Sequence, residues 1–105
     1  LGHSNCGAVT AALKELALEQ TVRSPKLRAI VDRVRPSVEP ILELHRYSDE
    51  ETLTAAAVRA NIRASVEKLA DGSRILEKLI DEGSLTIIGA EYSIETGDVE
   101  FFDTS

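Results

Sequence analysis

Between Gly7 and Ile80 the apolar side chains return every three or four residues, the period of one helix face, so that stretch reads as helical. Val9, Ala12, Leu13, Leu16 and Ala17 predict a first helix over 7–19. Ser24 then offers an N-cap with Pro25 at the first helical position, and Leu27, Ile30, Val31 and Val34 carry a second helix to about Arg35. Pro36 and Pro40 each remove a backbone donor, so 36–45, with Val38, Ile41, Leu42 and Leu44, reads as a kinked or broken helix. Ser48-Asp49-Glu50-Glu51 has the capping-box pattern with Ser48 as N-cap, and the alanine-rich run to Leu69 should be the longest helix. Asp71-Gly72-Ser73 breaks it. Ile75, Leu76, Leu79 and Ile80 then form a short amphipathic helix, which Gly83 ends in the left-handed conformation.

The tail changes character. Leu85-Thr86-Ile87-Ile88 is a β-rich apolar run, Gly89-Ala90 interrupts it, and 91–94 with 99–102 read as hairpin arms around Glu95-Thr96-Gly97-Asp98. No internal repeat or long linker divides the chain, so 1–105 reads as a single domain. A lone apolar strand is odd, because a buried strand needs neighbours to satisfy its backbone groups. The chain also opens on Leu1 rather than Met, directly into Gly2-His3-Ser4-Asn5-Cys6-Gly7. Together these features lead to the expectation that the missing neighbours lie upstream, in a longer fold of which this is the later part.

Composition narrows the function. The 43% hydrophobic content is mostly Ala, Leu, Val and Ile, with Tyr47, Tyr92, Phe101 and Phe102 the only aromatics, so the core must be small aliphatic packing. A net charge of −6 repels phosphate backbones and anionic lipid, which argues against nucleic-acid and membrane-surface roles. No apolar run reaches the roughly 20 residues of a membrane-spanning helix. One cysteine, Cys6, excludes an internal disulfide and suits a reducing compartment, so a cytoplasmic location is expected.

His3 and Cys6 stand three residues apart at a glycine-flanked turn entering a helix, a spacing that lets an imidazole nitrogen and a thiolate converge on one metal ion. Zinc accepts both ligand types, the start of the helix favours the thiolate, and Gly2 and Gly7 permit a tight backbone path. The plainer reading is a buried thiol beside a helix-capping histidine. Two ligands are also fewer than a tetrahedral zinc site requires. His45 has no Cys or His near it in sequence, and Asp49-Glu50-Glu51 is better explained as helix-start charge than as a metal cluster.

Gly2-His3-Ser4-Asn5-Cys6-Gly7-Ala8-Val9 resembles the second metal motif of β-class carbonic anhydrases, in which a strand ends in G-H-x-x-C-G-A and a helix follows. Leu85-Thr86-Ile87-Ile88-Gly89-Ala90-Glu91-Tyr92 and Thr96-Gly97-Asp98-Val99 resemble the closing strand, G-A-x-Y turn and T-G-x-V hairpin of that family. The helical region around Asn61-Ile62 and the short helix ending at Gly83 are similar to its layout too. The resemblance thus covers essentially the whole chain.

This resemblance implies an α/β fold: a helix-rich C-terminal remnant of the β-carbonic anhydrase domain, with a short parallel-type strand and a C-terminal hairpin. It implies that His3 and Cys6 are zinc ligands, and that the first cysteine and the aspartate-arginine pair belong to an upstream strand, so no catalytic residue is assigned here. The implied activity is reversible hydration of CO2 to bicarbonate in the intact protein, a homodimer or higher homo-oligomer, with this chain alone inactive. Tyr92 matches a tyrosine of a non-catalytic bicarbonate site in some members. Its usual tryptophan and arginine partners are missing, so a packed hairpin aromatic is the favoured reading. Two other functions stay open: a hydrolase of a related heterocumulene such as CS2 or COS, and a non-catalytic, metal-free helical module that covers its apolar faces by self-association.

Overall fold

The computed structural model describes residues 1–18, 25–45 and 49–102. In chain order they form β1 (Gly2–His3), α1 (Gly7–Leu18), α2 (Pro25–Leu44), α3 (Glu50–Gly72), α4 (Arg74–Asp81), β2 (Ala90–Tyr92) and β3 (Val99–Phe101). The architecture is α/β and helix-rich, with a small mixed sheet laid against α3.

The core lies where α1, α2 and α3 meet. Val9, Ala12 and Leu13 of α1 pack with Val31, Val34 and Val38 of α2 and Ala57, Val58 and Ile62 of α3. These side chains are small, as the composition demands, and helices with short side chains can approach closely. Helix α4 contributes nothing to this core; Ile75 on it is 74% exposed. The radius of gyration is 15.0 Å, larger than the roughly 13 Å of a compact domain of about 100 residues, so the chain is elongated.

Helix boundaries differ from expectation in three places. Against the break expected after Arg35, α2 continues through Pro36 and Pro40 to Leu44. The missing Pro36 and Pro40 donors leave the Asp32 and Pro36 carbonyls unbonded within the helix, and all three residues are exposed, where water can reach those carbonyls. The valines on the opposite face hold the helix against its neighbours. Second, the described N-cap of α3 is Asp49, whose Oδ1 accepts the Thr52 N–H at 2.7 Å. Ser48, expected in that role, lies outside the described residues, as do Ser24 and Glu19. Third, α3 runs on to Gly72, past the end expected at Leu69, while being the longest helix as expected. Ser73 caps α4 by accepting the Leu76 N–H, and Gly83, at φ 76°, ends it. Hydrogen bonds from Ser84 N–H to the Leu79 carbonyl and from Gly83 N–H to the Ile80 carbonyl make that end a Schellman motif.

The parallel strand is not where the apolar run placed it. Residues 85–88 belong to no ladder; the Leu85 N–H still bonds back to the Leu79 carbonyl of α4, and no described strand lies beside the run. Instead β2 sits in the middle of the order β1-β2-β3, parallel to β1 and antiparallel to β3. Gly2 is opposite Glu91 and His3 opposite Tyr92, while Ala90, Glu91 and Tyr92 pair with Phe101, Glu100 and Val99. Alternation then gives the hairpin two faces. Glu91 and Phe102 turn toward α3, where Arg59 pairs with Glu91 at 3.3 Å and the Arg63 guanidinium lies 5.1 Å from the Phe102 ring centroid. Tyr92, Val99 and Phe101 turn away and are 39%, 45% and 73% exposed.

Candidate functional site

His3 is the last residue of β1, and the Ser4 N–H extends the pairing by donating to the Tyr92 carbonyl at 2.9 Å. The backbone then reverses at Asn5, whose φ of 53° is a left-handed conformation that Asn tolerates better than most residues. Cys6 follows at the N-cap position of α1, its carbonyl accepting the Thr10 N–H at 2.9 Å and the Thr10 hydroxyl at 3.0 Å. A two-residue turn therefore carries the chain from a strand end bearing an imidazole to a helix start bearing a thiol.

The glycines work differently from the sequence reading. Gly7 has no positive φ, and a β-carbon there would meet nothing within 4 Å. Asn5 makes the turn, and Gly2 is required for a different reason: a β-carbon on it would meet the Ile62 side chain.

His3 is exposed and Cys6 half-buried at the edge of the core. The His3 Nδ1 lies 2.9 Å from the Ser4 carbonyl. A carbonyl only accepts, so Nδ1 is the donor in this contact, and in the neutral imidazole Nε2 is then the nitrogen with a free lone pair. That contact is the kind that fixes the tautomer of a metal-bound histidine; it is not a bond to a helix N–H, so the ring does not cap α1. Cys6, at the N-cap, lies at the positive end of α1. Among the described residues, no group of three or more His, Cys, Asp and Glu is placed to hold a metal ion. His3 and Cys6 thus suit two positions of a zinc shell and do not complete one.

Glu95 is the residue the sequence reading missed. Its Oε2 accepts the Ser4 hydroxyl at 2.9 Å and the Ser93 hydroxyl at 3.1 Å, and its Oε1 accepts the Asn5 amide at 2.6 Å. Its own backbone N–H, then the hydroxyls of Ser4 and Ser93, hold its carboxyl below the ordinary value of 4.5. The Ser4 hydroxyl in turn accepts the Ile94 N–H at 2.9 Å. In sequence Glu95 sits within an ordinary turn, and only the register of β1 on β2 brings it to the His3–Cys6 turn. A cleft of about 330 Å³ lies alongside, between Ser4, Arg59, Glu91 and the hairpin. Tyr92 stands opposite His3 in the ladder and is 39% exposed.

Comparison with known proteins gives the family. The family model for carbonic anhydrase matches residues 1–99. Carbonic anhydrase 1 of Escherichia coli O157:H7 is 29% identical over 102 residues, covering 97% of this chain and 44% of that protein. Carbonic anhydrase 2 of Mycobacterium tuberculosis (strain CDC 1551 / Oshkosh) is 32% identical over 97 residues, covering 92% and 44%. The solved structure of the β-carbonic anhydrase CcaA superposes with a TM-score of 0.77 at 27% identity, covering 96% of this chain and 48% of that one. A structure from work on two tetrameric β-carbonic anhydrases of the filamentous ascomycete Sordaria macrospora shares the fold, with a TM-score of 0.77 at 21% identity and coverage of 95% and 48%.

A strand end, an H-x-x-C turn, a helix start and a closing hairpin, matched over nearly the whole chain, place it in the β-carbonic anhydrase family. The chain spans less than half the length of the curated relatives it matches.

Proposed function

We propose that the protein to which this chain belongs catalyses the reversible hydration of CO2 to bicarbonate, with His3 and Cys6 as two of its zinc ligands. Residues 1–105 form one partial domain of it, inactive alone. The observation that carries this reading is the turn itself: an imidazole with its Nδ1 proton engaged by the Ser4 carbonyl, joined by two residues to a thiol at a helix N-cap. Bound there, zinc would supply a water acidic enough to serve as hydroxide near neutral pH. The chain's own residues do the positioning. Ser4 holds the imidazole ring, β1 pairing on β2 fixes the strand end, and the N-cap position of α1 places Cys6. The remaining ligand and the groups that control access are assigned to the part of the family fold that this chain does not span.

The protein is further proposed to be a cytoplasmic homo-oligomer that binds neither nucleic acid nor membrane. The net charge of −6 supports the last point, and no helix among the described residues is long and apolar enough to cross a membrane. Self-association is supported by the exposed Tyr92, Val99 and Phe101 face, and by the tetramers named for the Sordaria relatives.

Stopped-flow CO2 hydration by the full-length protein tests the activity. The reading predicts hydration above buffer, reduced about 100-fold or more by His3→Ala or Cys6→Ser. Zinc binding without hydration points instead to a CS2 or COS hydrolase. A full-length protein with neither is the non-catalytic self-associating module.

A further inference from the structure

Ser4 and Asn5 are the whole of the spacer between His3 and Cys6, and both side chains end on the carboxylate of Glu95, 91 and 90 residues away. The two contacts use different oxygens, Oε2 for the Ser4 hydroxyl and Oε1 for the Asn5 amide, so they fix the carboxylate in rotation as well as in position. Hydrogen bonds to an ionised acceptor are among the stronger ones, and the Asn5 contact, at 2.6 Å, is short.

The hairpin loop holds Glu95 from the other side. The Ser93 hydroxyl donates to Oε2 and accepts the Thr96 N–H, while the Ser93 carbonyl accepts the Gly97 N–H and the Ser93 N–H reaches the Asp98 carbonyl. The link is reciprocal, since the Ile94 N–H donates to the Ser4 hydroxyl that bonds Glu95. Asn5 sits in a left-handed conformation that Asn tolerates better than most residues, and its side-chain bond to Glu95 supports the spacer from outside.

We infer that Glu95 is the positioning residue of the His3–Cys6 turn: it clamps the spacer through Ser4 and Asn5 and thereby sets the separation and direction of the imidazole and the thiol. The inference rests on the zinc reading above. Glu95 acts through the spacer and is not itself a ligand, because it forms no metal-holding group with His3 and Cys6 among the described residues.

The test compares the full-length protein with its Glu95→Ala, Glu95→Gln and Glu100→Gln variants. Zinc affinity is read by chelator competition, metal geometry by the visible spectrum of the cobalt form, and spacer order by amide hydrogen exchange without metal. Glu95→Ala should weaken zinc binding about tenfold or more, alter the cobalt spectrum, and speed exchange at the Ser4 and Ile94 amides. Glu95→Gln keeps the shape and an acceptor for Asn5, and the rotatable hydroxyls of Ser4 and Ser93 can accept from its amide, so affinity should stay within about threefold of wild type. Glu100→Gln removes a charge from the same hairpin without touching the spacer and should change nothing.

A Glu95→Ala protein that binds zinc like wild type with the same cobalt spectrum overturns the inference and leaves the zinc reading standing. Equal losses in Glu95→Ala, Glu95→Gln and Glu100→Gln also overturn it, in favour of bulk charge. A wild-type protein that binds no zinc overturns the zinc reading and, with it, this role.

Discussion

Gly2 lies so close to Ile62 that a β-carbon on it would stand 2.5 Å from the Ile62 Cγ1 and 2.6 Å from its Cδ1. Gly89 meets the same side chain from the neighbouring segment, with the Ile62 Cγ2 at 2.9 Å. The sheet therefore seats on α3 through two backbone surfaces flanking one isoleucine, and the strand that ends in His3 is placed by that seat.

Gly2→Ala should destabilise the protein by about 1–3 kcal/mol through overpacking. Ile62→Ala should cost about 2–5 kcal/mol by opening a cavity. Because the added methyl occupies part of that cavity, the double variant should lose less than the sum of the two. Urea denaturation of the three variants reads this; strict additivity means that the residues do not touch. Gly7→Ala, where a β-carbon meets nothing within 4 Å, should be near neutral.

Gly83→Ala should weaken the end of α4 by about 1 kcal/mol, because φ 76° penalises a β-carbon even where space is open. Amide exchange at Gly83, Ser84 and Leu85, whose N–H groups bond back into α4, should accelerate before exchange in α3 does. Unchanged exchange there would show that the Schellman motif contributes nothing to α4.

The clamp on the His3–Cys6 turn should fail in acid. The Glu95 carboxyl is held below 4.5 by hydrogen bonds that favour the ionised form, so its contribution is fully present above about pH 4.5 and is lost as pH falls through its lower folded value. A carboxyl-carbon NMR titration should find Glu95 titrating below 4.5, with Asn5 side-chain shifts following the same curve. Titration at or above 4.5 would mean that its own backbone N–H and the Ser4, Ser93 and Asn5 contacts do not hold the charged form.

How much of this was legible in the sequence depends on the range of the interactions involved. The cap at Gly83 is local and its residue type announces it, whereas Ser73 was legible only as part of a break and proves to cap α4. The small aliphatic core followed from composition and spacing. Pro36 and Pro40 misled because propensity does not register that their missing bonds fall on an exposed face while Val31, Val34 and Val38 anchor the other. The apolar run at 85–88 misled for a similar reason: ladder pairing depends on which strand lies alongside, and β1 lies alongside residues 91 and 92.

The site divides in the same way. His3 and Cys6 stood out because their spacing and the glycines around them form a motif. Glu95 did not, since its contacts with Ser4 and Asn5 span about the length of the chain and exist only once β1 is registered on β2. The need for Gly2 was visible as a glycine and not as a contact, because Ile62 is some sixty residues away in sequence.

Zinc content by elemental analysis of the purified full-length protein, beside its Cys6→Ser variant, tests the central claim most directly. The account predicts one zinc per chain in the wild type and its loss in Cys6→Ser, with the helical circular dichroism of the fold retained. A wild-type protein without zinc, or a Cys6→Ser variant that keeps its full complement, would contradict it.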